Sequence, residues 1–332
     1  MDMRSFVIRK IIYLIITLFA IIAFNFFLFR IMPGDPARVL VPRGGTPELI
    51  AAIRESFHLN DPLYLQFWYY LTDVLTLNFG ISSSVWPRQP IGSALANPIF
   101  NTVLLVGIGT TLAIYFGVLL GRAAAWRRGK PVDTVGMAFA LVFYSMPTFL
   151  FALIMVMIFA GELKWFPLGG PYGYLPGDPV RHDYATLSLL DKIISRGYHL
   201  VLPVTAFTME VMAEYALIMR NSLTDVLTED YIVTARAKGI SNENILKNHA
   251  MRNAMLPVVT VAAISVGWVL GGDIMVEIVF SYDGMGMVTW EAVNARDFPV
   301  LQALFLLMAV AVLFANLIAD LIYMYLDPRV TV

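Results

Sequence analysis

Two pairs of carboxylates sit where carboxylates are expensive. Glu210 and Glu214 interrupt an apolar segment running from about Leu200 to Met219, and Asp273 and Glu277 stand near the end of another. A spacing of four puts the members of each pair on one helical face. Ionisable groups at membrane depth face a cavity or a partner and mark candidate pathways. A face of this kind favours a cationic group. The alternative is that Glu210 and Glu214 pair with a buried Arg or Lys of a partner, or lie at a subunit interface. Asp320 with Asn316 repeats the spacing near the end of the last apolar run, where it is read as a cap or orienting group for backbone.

A second group of residues lies in the polar stretch from Thr228 to Val259. It reads as two short helices with a hinge. Thr228 is the expected N-cap of the first, with Glu229 and Asp230 in its opening turn, where negative charge suits the dipole. Lys238 falls in its last turn and Gly239 stops it. Ser241 is the expected cap of the second helix, which runs toward Pro257. A chain needs no such pair merely to turn back into lipid, so the segment is read as a docking device. Within it, Ala235 is small enough for close approach, Gly239 permits a sharp turn, and Tyr231 stands one turn before Ala235. The alternative is a helix on lipid headgroups, with Arg236 and Lys238 toward phosphates.

Other chemistries find no residues. There is no cysteine, hence no disulfide, thiol nucleophile or Cys-ligated metal. His58, His182, His199 and His249 are scattered without ligand spacing, and a structural role is expected for each. Gly129-Lys130 is followed by Pro131 and has Ala at position 124, so it is no phosphate loop. No H-E-x-x-H occurs. Gly271-Gly272-Asp273 and Tyr282-Asp283 fall at one helix end rather than on two facing helices, against an intramembrane aspartyl protease. The methionines and aromatics are read as packing and lipid-facing surface.

The elements that must position these groups are membrane helices. Of 332 residues, 58% are hydrophobic and only 14% charged, where soluble domains carry roughly 25% charged residues. The charges are clustered, leaving uncharged runs at Ile11–Phe29, Gln89–Gly121, Thr134–Gly161, Asn253–Gly272 and Phe298–Ala319. Each suffices for a bilayer core that takes roughly 20 helical residues. With Leu200–Met219 they make six expected spans, the first a retained helix rather than a cleaved signal peptide. The net charge of −1 says nothing about partners.

Arg122, Arg127, Arg128 and Lys130 after the second span, and Arg220, Arg236, Lys238, Lys247 and Arg252 after the fourth, place those loops and both termini in the cytoplasm. The long loops near 30–88 and 162–199 go outside. Both are rich in Pro, Gly and aromatics, which means turns. Pro47–Phe57 is the exception, an amphipathic helix with Leu49, Ile50, Ile53 and Phe57 on one side. There is no tandem repeat. The expected division is 1–95, an N-terminal helix and large outer loop, and 96–332, a five-helix core carrying the cytoplasmic loop 220–256.

Motifs along nearly the whole chain resemble one family. They are MPGDPA at Met32–Ala37, FHLNDPLYLQFWYYL at Phe57–Leu71, NFGIS at Asn78–Ser82 and WFPLGG at Trp165–Gly170. They continue with EDYIVTARAKG at Glu229–Gly239, HAMRNAMLPVVT at His249–Thr260, VEIVFSYDGMG at Val276–Gly286, RDFPVLQ at Arg296–Gln302 and YLDPR at Tyr325–Arg329. In order and spacing the chain resembles the inner-membrane permease subunit of ATP-binding-cassette importers, in the dipeptide/oligopeptide/nickel branch. The wider family's Glu-Ala-Ala pattern is replaced by Val233, Thr234 and Ala235, and Leu256-Pro257 comes late. Both departures match that branch.

The resemblance implies an all-α polytopic protein with the type I importer permease fold, non-enzymatic, in the plasma (inner) membrane. It implies that the cytoplasmic loop forms a coupling helix in a groove of an ATPase subunit, with Tyr231, Thr234, Ala235, Lys238, Gly239, Asn253 and Pro257 in that segment. It implies as partners two ATPase subunits or domains, a second permease subunit, taken as a paralogue, and an extracytoplasmic binding protein. The chain itself would bind no cofactor, ATP and Mg being used by the partners, and no nucleic acid. Short peptides are the expected substrate, with oligosaccharides and nickel as alternatives. The candidate path residues are Glu210, Glu214, Asp273 and Glu277, the last with a structural role at the outer gate. The rival readings, an ion-coupled secondary transporter with Glu210, Glu214 and Glu277 as proton carriers or a channel, lack an internal repeat and a selectivity filter respectively.

Overall fold

The computed structural model describes residues 3–31, 46–56 and 58–326. Met32–Ala37, Phe57 and the end of Tyr325–Arg329 lie outside the described residues, as do the side chains of Leu49, Ile53 and Asp320. The described chain is helical, with only isolated bridges at Ile81–Pro90 and Leu175–Asp178. The helices are α1 (Met3–Ile31), α2 (Pro47–Ser56), α3 (Leu63–Leu75), α4 (Ala96–Trp126), α5 (Pro131–Ser145), α6 (Thr148–Met155) and α7 (Leu189–Val226). Then come α8 (Asp230–Ala237), α9 (Asn242–Ala254), α10 (Leu256–Trp268), α11 (Ile274–Val279), α12 (Met285–Ala295) and α13 (Phe298–Leu326).

Four stretches are long and apolar enough to cross a bilayer as single helices: Ile8–Arg30, Ile91–Trp126, Leu189–Val226 and Phe298–Ile318. Two more are bent pairs, α5 with α6 at 98° and α9 with α10 at 45°, which brings the total to six. The third expected span is therefore not one straight helix. Pro147 has no N–H to give and disfavours the helical conformation in the residue before it. Met146 accordingly takes φ −80 and ψ 129, and α5 ends. α6 restarts at Thr148 and continues in π turns over Val156–Glu162. The fourth span is longer than its apolar segment at about Leu200–Met219, because Ser188 caps α7 by accepting from Asp191 N and the helix then runs for 38 residues.

Contacts divide the chain into two compact units. The first comprises Met1–Thr102, Leu270–Ile274 and Asp283–Val332. Phe29, Ile91, Leu95, Met285, Val288 and Leu304 form its core. Asn25 is buried in α1 and donates to Tyr70 Oη of α3 and to the Gln302 carbonyl of α13, both at 3.0 Å. Thr102 Oγ1 accepts from Met285 N at 2.7 Å, closing the start of α12.

A polar joint of this unit is at Asp297, which is fully buried. Its Oδ2 accepts from Ser82 Oγ at 2.7 Å and from the amides of Ser83, Ser84 and Val85 at 3.1, 2.9 and 3.1 Å. Two of the sequence motifs, NFGIS and RDFPVLQ, thus meet on one carboxylate. Burial pulls the Asp297 carboxyl up, but the Ser82 hydroxyl and the three amides pull it down by more, leaving it below the ordinary range.

The second unit is Val103–Val269 with Met275–Tyr282, built around α7. Glycines set the approach of α4 to α7. A Cβ at Gly117 would stand 2.6 Å from Tyr215 Cβ and 2.7 Å from the Met212 carbonyl, and one at Gly121 would run into the Ala216 carbonyl. Small residues four apart allow membrane helices this contact, with packing and carbonyl approach replacing the hydrophobic drive that lipid removes. Tyr215 Oη donates to Ser265 Oγ at 2.8 Å, joining α7 to α10. Arg220 grips Asp133 of α5 through Nε at 2.6 Å and Nη2 at 2.9 Å. His199 is structural, since its ring nitrogens meet the Gly170 carbonyl at 2.7 Å and Tyr174 N at 3.0 Å.

Replacing Asp297 with Ala leaves the buried Ser82 hydroxyl and three partly buried amides without their acceptor, at about 1–3 kcal/mol for the buried hydroxyl and less for each amide. A lower melting temperature is expected for the purified protein in detergent, with Asp297→Asn milder. Because the folded carboxyl is lowered, its stabilisation is present above the unfolded value and is lost as pH falls through the folded one. Asp297→Asn should therefore flatten the acid limb of the melting curve. An unchanged melting temperature for Asp297→Ala contradicts the joint. Gly121→Val is expected to reduce the folded yield sharply while Gly107→Val, where nothing lies within 4 Å of an added Cβ, is tolerated; equal yields contradict the seam.

Candidate functional site

The segment between α7 and α10 folds by local rules. α7 closes at Leu227, and Thr228 Oγ1 donates back to the Asp225 carbonyl at 2.7 Å. This corrects the expected cap, because a hydroxyl spent on the preceding turn is not available to the next helix. The N-cap of α8 is Glu229, in extended conformation and without a side-chain cap bond. Asp230 supplies the first-turn negative charge.

The other end follows the Schellman pattern. Ile240 N donates to the Ala235 carbonyl at 3.2 Å and Gly239 N to the Arg236 carbonyl at 2.9 Å. Gly239 sits at φ +77. Ser241 then caps α9, accepting from Asn244 N at 3.4 Å. α9 passes through π turns at Ile245–Ala250 and ends at Ala254, and Pro257 lies in the first turn of α10, just past the bend.

α8 has two unlike faces. Ile232 and Ala235 are buried in a cluster with Tyr215, Met219 and Leu223 of α7 and Ile245, Ala250 and Ala254 of α9. Tyr231, Val233, Thr234, Arg236 and Lys238 are exposed. Ala235 was expected to admit a partner; its methyl instead lets α8 lie close on the chain's own core. Full burial of Ile232 contributes about 2 kcal/mol, more than an exposed hydrogen bond gives. The outward row that remains is Tyr231, Thr234 and Lys238, at spacings of three and four. Tyr231 is held upright by Asn253 Nδ2, which donates to its hydroxyl at 2.9 Å. Sequence reasoning chose both residues but did not pair them.

A basic recess beside α8 had no sequence signal of its own. Arg128 and Arg236 line an open cavity of about 600 Å³ with Thr224, Thr228 and Asn242. Two guanidinium groups at one recess, with a row of exposed polar side chains next to it, suit an acidic protein surface. Among the described residues no cluster of His and carboxylates has the makings of a metal site.

The carboxylates fall into different settings. Glu210 and Glu214 share one face in the middle of α7, Glu210 half-buried and Glu214 exposed. An exposed carboxylate at that level of a membrane helix calls for water or a partner. Asp273 and Glu277 do not share a helical face, which corrects the second pair. Gly272 turns at φ +71 after α10, Asp273 lies in the break, and α11 begins only at Ile274. Glu277 is fully buried within its own unit, while Asp273 belongs to the other.

Residues 117–332 match the family described as binding-protein-dependent transport system inner membrane component, and residues 3–105 match the N-terminal region of such membrane components. The glutathione transport system permease protein GsiC of Salmonella choleraesuis is 34% identical over 328 residues, 99% of both chains. The dipeptide transport system permease protein DppB of Alkalihalophilus pseudofirmus is 35% identical over 336 residues, again 99% of both. A probable peptide ABC transporter permease of Sinorhizobium fredii is 34% identical at the same coverage. Among solved structures, the MetNI methionine ABC transporter in inward-facing conformations has a chain that superposes with a TM-score of 0.50 at 15% identity, over 70% of this chain and 96% of that one. That likeness bears on the fold alone. Six candidate spans, two of them bent pairs, and full-length relatives of one kind agree. The chain belongs to the binding-protein-dependent transport system inner membrane components, as a non-catalytic, multi-pass permease subunit of an ABC importer in the peptide/glutathione group.

Proposed function

We propose that this chain forms half of a translocation path for short peptides, and that α8 docks on a separate ATPase subunit. The observation that carries the reading is the two-faced α8. Its outer row, Tyr231, Thr234 and Lys238, is free to touch a partner, while Ile232 and Ala235 lock it to α7. A displacement of α8 therefore moves the helix that bears Glu210 and Glu214. Asn253 positions Tyr231, Gly239 and Pro257 set the turns, and Ala235 sets the distance to α7. ATP and Mg belong to the ATPases, and the partner permease is taken as a paralogue.

The loop charges support cytoplasmic termini, with α8 on the same side. The outer loops would receive a binding protein. Dipeptides and glutathione, the cargo named for two relatives, carry an ammonium group that Glu210 and Glu214 would attract. Asp273 stands in the break between α10 and α11 and is assigned to the outer end of the path. Glu277, fully buried, is assigned a structural role there.

Two experiments test this. Gly239 has nothing within 4 Å of an added Cβ, so a side chain there costs only the left-handed conformation, about 1–2 kcal/mol. In the reconstituted complex, Gly239→Val is expected to abolish ATP-driven uptake without preventing assembly, and Gly239→Asn, better tolerated at positive φ, to retain part of it. Uptake by this chain alone, indifferent to ATP and abolished by collapsing the proton gradient, overturns the reading. The double change Glu210→Gln and Glu214→Gln is expected to reduce uptake of a cationic dipeptide about tenfold relative to an anionic one, on the order of 1.4 kcal/mol. Equal losses for both sinks the assignment of the two carboxylates to the path.

A further inference from the structure

We propose that α3, in the middle of the long first loop, is a membrane-embedded helix whose free face is covered by acyl chains rather than by water or protein. The leaflet is the one at the Arg30 end of α1. The inference concerns the loop's solvent and does not rest on the substrate.

The depth of α3 is fixed by what it touches. The first span runs Ile8–Arg30, so Phe19 marks its centre. The Phe67 ring lies 6.0 Å from Phe19 and 5.3 Å from Phe26. Tyr70, one turn later, stands 5.6 Å from the Phe26 ring and receives the Asn25 amide at 3.0 Å. The contacts climb with the chain, so α3 runs alongside α1 toward its Arg30 end. Residues 19 and 26 differ by about 10 Å of helix rise. Phe67 sits between these levels, inside the hydrocarbon that α1 spans.

The chemistry of the exposed face agrees with that depth. Tyr64, Trp68 and Leu75 are 76%, 60% and 72% exposed, and Leu71 continues their row. The spacings 64, 68, 71 and 75 make one helical stripe. The only charge in Leu63–Leu75 is Asp73, near the end that faces out. Left to water, this stripe would be a large apolar patch of the kind that aggregates. With 13 residues α3 is about 20 Å long, too short to cross and long enough to lie within one leaflet.

The chain has no cysteine, so single cysteines can be placed without altering a background. Tyr64→Cys, Trp68→Cys and Leu75→Cys would be spin-labelled in the complete complex in liposomes. Collisions with dissolved oxygen, which partitions into lipid, are compared with those of a water-soluble nickel chelate. Ile15→Cys on α1 is the lipid reference and Gln89→Cys, on an exposed loop residue, the aqueous one. All three test positions are expected to favour oxygen severalfold over nickel, as position 15 does. Nickel dominance, as at position 89, shows water and overturns the proposal. Shielding from both reagents shows a protein partner on the face and overturns it equally. The three side chains are exposed, and if one label blocks assembly the other two give the same reading.

Discussion

An eight-residue helix does not stand by itself. Nucleation costs more than two turns of hydrogen bonds return, so α8 exists because its inner face is buried. Ile232 and Ala235 supply that burial against α7 and α9, the Schellman turn at Gly239 ends the helix, and Asn253 steadies its one exposed aromatic. The same contacts that make α8 fold make it part of α7. Stability and transmission are one interaction seen from two sides, and the account of function depends on it.

The membrane explains much of the rest. Lipid offers no hydrogen bonds and no hydrophobic drive between helices, so joints are made by close approach or by satisfied polar groups. Gly117 and Gly121 supply the first kind between α4 and α7. Tyr215 with Ser265, and Arg220 with Asp133, supply the second around α7. Asp297 does the same for the first unit, where one carboxylate answers three amides and a hydroxyl. Breaks at Met146-Pro147 and at Gly272 fall where backbone must leave the helix, and each is followed by a new helix that takes up the pattern.

Much of this was legible from the sequence, and the misses have physical reasons. Uncharged runs located the spans because charge is what lipid excludes. Gly239 and Ser241 announced the turn and the cap because those effects are local. Thr228 misled because a hydroxyl has two turns within reach and chose the earlier one. The break at Pro147 carried its signal openly, but a count of apolar residues does not see direction. Gly271-Gly272 likewise separates Asp273 from the helix that holds Glu277. The inward face of Ala235 depends on residues of α7 and α9 that an eight-residue pattern does not reveal. The G-x-x-x-G spacing at Gly117 and Gly121 was present and was read only for length. The pairing of Ser82 with Asp297 joins residues 215 apart and has no local trace.

The central claim is that α8 and α7 move as one body. Spin labels at Val233 of α8 and Asn221 of α7, both exposed, would report the distance between them in the complete transporter. Pulsed electron-electron resonance would be recorded without nucleotide and in an ATP-trapped state. The account predicts one narrow distance distribution that is the same in both, while a label pair from Val233 to the second permease shifts. A Val233–Asn221 distance that changes by several ångströms, or broadens on nucleotide binding, would contradict it, because α8 would then hinge on α7 instead of driving it.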